Sequence, residues 1–128
     1  MLLKARLLYD GGYYSLALDE LKQIESPDYF STESNNTEYW YRLARVQKAL
    51  GLPINQVIEY YQESFEKGKN STAYFAPMSA LQIGFIYEKQ NDFEQASIYF
   101  KKCLSMSDFD YERGIHQKAK AGLDRITN

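Results

Sequence analysis

The sequence predicts an all-α fold, and three observations carry that prediction. Apolar residues recur three and four apart through almost the whole chain, the spacing that lines one face of a helix. Helix-ending signals interrupt the pattern at Gly11-Gly12, Gly51, Gly68 and Asn91-Asp92. No segment of useful length alternates apolar and polar residues as a half-buried strand would. The 128 residues include 12 Tyr, 7 Phe and 1 Trp, an aromatic content foreign to disordered chains, and the length suits a single domain.

In the first segment Leu2, Leu3, Ala5, Leu8 and Tyr9 repeat at helical spacing up to Asp10. A second stripe runs through Tyr14, Ala17, Leu18, Leu21 and Ile24 and ends near Ser26-Pro27. Residues 26–37 are polar and turn-rich and read as a loop, with Asn35 and Glu38 spaced as a capping box for the next helix. That third helix carries Trp40, Leu43, Ala44 and Val46 to about Gly51. Pro53 suits the opening of the fourth, where its missing N–H costs nothing, and Ile54, Val57, Ile58, Tyr61 and Phe65 form its stripe. A fifth helix begins between Ala73 and Pro77 and runs to about Gln90 through Leu81, Ile83, Gly84, Phe85 and Tyr87. Asp92 and Gln95 form a second capping pair, ahead of Phe93, Ala96, Ile98, Tyr99, Phe100, Cys103 and Leu104. A last helix over about 110–126 aligns Tyr111, Ile115, Ala119, Leu123 and Ile126 on one face.

The helices pair and the pairs repeat. Ala17, Val57 and Ala96 occupy equivalent places, 40 and 39 residues apart, and a bulky residue follows each after four positions: Leu21, Tyr61 and Phe100. One helical turn separates small from large, so both face the same neighbour. Ala80-x2-Ile83-Gly84-x2-Tyr87 followed by Ala96-x3-Phe100 resembles the tetratricopeptide repeat, whose pattern is W-x2-L-G-x2-Y and then A-x3-F. Trp40-x2-Leu43-Ala44 with Val57-x3-Tyr61, and Gly12-Tyr13-Tyr14 with Ala17 and Leu21, are similar to it in register. The unit here is five or six residues longer than the family's, with the surplus in the connectors at 26–37 and near 69–76. The resemblance implies an α-solenoid of three helical hairpins, about 1–26, 36–68 and 73–106, closed by a capping helix over about 110–126. The ending from Tyr111 to Leu123 is similar to the C-terminal ends of larger tetratricopeptide proteins of Bacteroidetes-type bacteria. Together with the apolar coverage of Leu2, Leu3, Leu7 and Leu8, that likeness leads to the expectation that the chain is a piece of a longer protein. A homodimer through the same N-terminal face is the rival expectation.

Chemistry is sparse. One His and one Cys exclude a His cluster, an internal disulfide and a multi-Cys metal site. Cys103 falls on an apolar stripe and reads as an inert core thiol, and His116 reads as a structural side chain. Gly11-Gly12 lacks the strand and the Lys-Ser/Thr of a phosphate loop. Asp19-Glu20 and Asp108/Asp110 read as solvated or capping carboxylates. No catalytic residue, cofactor or metal is expected, and the chain is expected not to be an enzyme. A net charge of -2 argues against nucleic acid held by bulk charge. The tyrosines read as hairpin packing with no basic–aromatic ladder beside them. No apolar run approaches the ~20 residues of a membrane span, and Met1–Tyr9 lacks a secretory signal's apolar core, so a soluble chain is expected.

One constellation points to binding. Arg42, Arg45 and Lys48 lie three apart on the third helix beside Tyr41. In the resembled family the first helix of each pair lines a concave surface. The expected site is therefore a groove with Arg6, Tyr41, Arg42, Arg45 and Lys48 as its cationic part and Met78, Leu81 and Phe85 as its apolar floor. The expected function is a non-catalytic protein-interaction or scaffold module that takes a peptide or partner helix there. An oligomerisation module, or an accessory domain of a larger enzyme or assembly, is the alternative.

Overall fold

A computed structural model describes residues 2–24 and 33–127 of the protein. Seven helices account for most of them: α1 Leu2–Asp10, α2 Tyr14–Lys22, α3 Glu33–Ala49, α4 Ile54–Lys67, α5 Phe75–Lys89, α6 Phe93–Ser105 and α7 Glu112–Ile126. No strand occurs among the described residues. Glycine makes two of the turns possible: Gly12 and Gly51 adopt φ of +83° and +77° at the ends of α1 and α3, a region closed to most side chains. At α6 the Asp92 carboxylate accepts the Gln95 backbone N–H at 3.2 Å, the cap its spacing predicts.

Two expectations at helix ends are corrected. The helix α3 is already under way at Glu33, so Asn35 lies inside its first turn and opens no capping box. The cause is tertiary: Thr37 is fully buried, and its hydroxyl donates to the Ser64 carbonyl at 2.6 Å. The Ser64 hydroxyl returns a bond to the Thr37 carbonyl at 2.8 Å, so this reciprocal tie to α4 fixes helical backbone through the Asn-Asn-Thr stretch. Much of the expected 26–37 loop falls outside the described residues. Tyr111, placed on the apolar stripe of the last helix by its spacing, instead precedes α7 and stands 76% exposed.

Each helix packs on the next, and α1, α3, α5 and α7 also touch in that order. The odd-numbered helices thus form one layer and α2, α4 and α6 a second. Ala17, Val57 and Ala96 are fully buried between layers, and Leu21, Tyr61 and Phe100 fill the space beside them. Ile115 and Ala119 of α7 join Leu81, Ala96, Phe100 and Cys103 in one apolar cluster, with Leu123 and Ile126 against it. No helix among the described residues is long and apolar enough to cross a membrane.

Packing is tight around Phe100. A Cβ placed on Gly84 of α5 would come within 2.5 Å of the ring, and one on Gly122 of α7 within 2.6 Å. Glycine inside a helix costs roughly 1 kcal/mol against alanine. Here it lets two helices close on the shared Cε1–Cζ edge of one buried ring, while Phe85 meets that ring edge-on at 5.6 Å. Gly84→Ala should therefore destabilise the fold by about 1–3 kcal/mol despite its better helix propensity. In a Phe100→Leu background the same change should cost less, because the clashing ring is gone. Urea melts of the four proteins give the comparison; equal costs in both backgrounds would contradict the clamp.

At its far end α7 is tied to α5 by a forked ion pair: Arg125 Nε and its terminal nitrogen donate to the two Glu88 oxygens at 2.8 Å each. These bonds hold the Glu88 carboxyl below its ordinary value of 4.5. A depressed folded-state value means that the pair stabilises fully above the unfolded value and loses its effect as pH falls through the folded one. The pair is partly solvated, so its contribution is about 0.2–1 kcal/mol. Glu88→Gln should lower stability by that amount at neutral pH, and the difference should disappear as pH falls through the depressed folded-state value. A difference persisting in acid would contradict this assignment.

Candidate functional site

The cationic row on α3 does not share one face. Steps of three residues turn a helix by about 300°, so the row drifts ~60° at each step. Arg42 is consequently buried, with its side chain 6% exposed and Nε 3.1 Å from the Glu38 carboxylate. Its guanidinium lies 5.6 Å from the Tyr41 ring centre and 5.4 Å from that of Phe75, in the seam with α5. Arg45, one step on, is half-buried and faces a cavity; Lys48 is exposed at its edge. Leu81 is fully buried in the core and forms no accessible floor. Arg42 and Leu81 therefore lie outside any surface that a partner could reach.

The remaining expected residues divide among three cavities. Tyr41, Arg45, Lys48 and Met78 line the first, of about 460 Å³, with Tyr9, Tyr61 and Gln82. Arg6 and Met78 line the second, of about 420 Å³, with Tyr74, Tyr111, Ile115 and Lys118. Phe85 and Lys48 line the third, of about 430 Å³, with Ile54, Ile86 and Lys89. Met78 of α5 separates the first two, which together form a trough walled by α1, α3, α5 and the start of α7.

Among the described residues no carboxylate lines either cavity of the trough. Among the described residues Arg45, Lys48 and Lys118 take part in no ion pair. Arg6 has Asp10 at 3.7 Å, with both side chains more than half exposed. Exposed acids are more frequent in the other layer: among the described residues Asp19, Glu59, Glu63, Glu66 and Glu94 of α2, α4 and α6 are exposed, against Asp10 and Asp124 of the odd-numbered helices. A chain of net charge -2 thus presents a cationic inner face. The Arg45 guanidinium sits 4.2 Å from the Tyr9 ring centre and 5.4 Å from that of Tyr41. Burial works against its charge, but the phenol oxygens of Tyr41, Tyr9 and Tyr61 outweigh burial and raise its pKa. Burial also raises the Tyr41 and Tyr61 phenols, so both stay protonated at neutral pH.

Sequence spacing alone missed Tyr9, Tyr61, Tyr74, Gln82, Tyr111 and Lys118. A signal for some of them exists: Tyr9, Tyr41, Tyr74 and Tyr111 stand 32, 33 and 37 residues apart. They form a line along the trough. Arg45 bridges Tyr9 and Tyr41, the Tyr41 and Tyr74 rings meet edge-on at 6.1 Å, and Tyr74 and Tyr111 do so at 5.6 Å.

Tyr111 is unusual in its backbone as well. Its φ of 63° and ψ of 22° are left-handed, a conformation that Asn and Asp tolerate, as Asn91 and Asp108 do here. A bulky aromatic residue adopts it at a cost of roughly 1–2 kcal/mol. The flanking turn imposes the conformation: the Asp110 N–H donates to the Thr72 carbonyl at 3.1 Å, and the Asp108 N–H to Glu112 at 3.1 Å.

Elsewhere the reactive groups are enclosed. Cys103 is fully buried, and burial pushes its thiol up to about 12. His116 is half-buried with its ring against Phe109 at 5.4 Å. Among the described residues no three His, Cys, Asp or Glu side chains come together as a metal site would require.

The chain was compared with known proteins. No curated protein and no solved structure matches it. A family model for the tetratricopeptide repeat matches residues 79–110, which cover most of α5, all of α6 and the turn beyond. Within the seven-helix fold, residues 79–110 carry a tetratricopeptide-type repeat motif.

Proposed function

We propose that the protein is a non-catalytic interaction module, a tetratricopeptide-like solenoid of three hairpins capped by α7, which holds an acidic peptide segment along the trough of α1, α3 and α5. The observation that carries this reading is the lining of the trough: Arg6, Arg45, Lys48 and Lys118, with no carboxylate among the described residues, in a chain of net charge -2. Such a surface attracts a partner of opposite sign. The repeat motif over 79–110 supports the reading, because stacked helical repeats serve as extended binding surfaces. A peptide fits better than single-stranded nucleic acid, because of the five tyrosines that line the trough only Tyr111 is exposed, which is too few for successive bases to stack on.

Self-association is a second reading with its own observation. Leu3, Leu7 and Leu16 are each more than half exposed on the first two helices. Sedimentation at several concentrations separates a dimer from a monomeric receptor.

The charge reading is tested with a peptide array at low salt, probed with wild type and Arg45→Glu/Lys48→Glu. The variant should lose at least tenfold in binding to acidic peptides, since two partly exposed pairs of about 0–1 kcal/mol each turn from attraction to repulsion. Wild-type binding should also weaken as salt is added. If the strongest ligands bind both proteins equally at low salt, the trough is not the site.

A further inference from the structure

The second cavity is built differently from the first. Its walls come from the beginning and the end of the fold: Arg6 of α1, Tyr74 and Met78 at the start of α5, and Tyr111, Ile115 and Lys118 at the start of α7. Two cations line it with the half-buried Met78, while Ile115, which is buried, reaches it only from the core side. Beside them stands the edge-on pair of Tyr74 and Tyr111, their ring centres 5.6 Å apart. The exposure of Tyr111, at 76%, means that the core gains little from its ring. The same residue is the only bulky one among the described residues with a left-handed backbone. Stability alone favours Asn or Gly at such a position. Backbone strain that packing does not offset, at the rim of a cavity, is a reason to look for a ligand.

We propose that Tyr111 and Tyr74 form a docking pocket for one aromatic side chain of the partner, with Arg6 and Lys118 taking the acidic residues on either side of it. The proposal rests on the peptide reading of the trough and adds the chemistry of one partner step, acidic–aromatic–acidic. An aromatic guest suits this pocket for three reasons. The exposed face of Tyr111 offers a ring surface, Met78 adds a polarisable thioether, and about 420 Å³ exceeds what an aliphatic side chain fills. The acidic neighbours follow from the two cations and the absence of a carboxylate among the described residues of the lining. In this arrangement α7 is a wall of the binding site as well as a cover for the core.

The test uses three fluorescein-labelled twelve-residue peptides with Gly-Ser flanks and centres Glu-Trp-Glu, Glu-Ala-Glu and Gln-Trp-Gln, together with a labelled oligothymidylate. Anisotropy is measured against wild type, Tyr111→Asn and Arg6→Gln/Lys118→Gln. Wild type should prefer Glu-Trp-Glu to either control peptide by at least fivefold. Tyr111→Asn should lose that preference while its melting temperature stays the same or rises, because Asn relieves the backbone. The double variant should fall to the level that wild type shows with Gln-Trp-Gln. Equal binding of Glu-Trp-Glu by Tyr111→Asn and wild type would overturn the pocket. A melting temperature that drops in step with affinity would make the ring structural and overturn it as well. If wild type binds Glu-Trp-Glu and Glu-Ala-Glu alike, the trough reading survives and this pocket does not. If it binds neither, both fall, and tighter binding of the oligothymidylate would replace the peptide with a single strand.

Discussion

The fold turns on one buried ring. Phe100 reaches from α6 into a slot that exists only because Gly84 and Gly122 have no side chains. Three helices contribute to that contact, and each gives up something for it. The α5 and α7 segments accept a glycine in a helix interior, and α6 loses the freedom of an aromatic side chain. In return, apolar surface from Leu81, Ala96, Cys103 and Ala119 closes around the ring. Packed interiors are dense enough that such a slot has no slack, so the ring fixes the angle at which α7 crosses its neighbours.

That crossing determines the character of the inner face. The Glu88–Arg125 fork secures the far end of α7 and Phe100 its middle, leaving its start to project toward α1. The first and last helices thereby line one cavity although they make no direct packing contact. Charge is sorted along the same layers. The even-numbered helices carry exposed acids outward, and the odd-numbered ones carry Arg6, Arg45, Lys48 and Lys118 inward. Tyrosines screen the cations from one another. Arg45, deepest of the four, rests on the face of Tyr9 and needs no carboxylate to keep its charge.

Helical periodicity made the fold legible because each helix buries one narrow stripe, and the pairing of Ala17, Val57 and Ala96 with bulky partners exposed the repeat. The start of α3 escaped, since the Thr37–Ser64 tie joins residues 27 apart and leaves no local pattern. The site was legible only in part. Arg45, Lys48, Met78 and Arg6 do line the trough, yet a row read at three-residue spacing also included Arg42, which the helical drift turns into the core. Leu81 was assigned to a groove floor because its exposure depends on where α7 lands. Tyr111 and Lys118 were invisible for the same reason: their place opposite Arg6 is set by the crossing of α7, which no single-helix pattern encodes.

If one ring locks α5, α6 and α7, those helices must open together. Native-state hydrogen exchange followed amide by amide tests this most directly. The account predicts that the central amides of α7 share the opening free energy of those in α5 and α6, and that all three fall together in a Phe100→Leu variant. Amides of α7 exchanging at a separate, lower opening free energy in the wild type would contradict it, and would show that the last helix rests on the repeat without being locked into it.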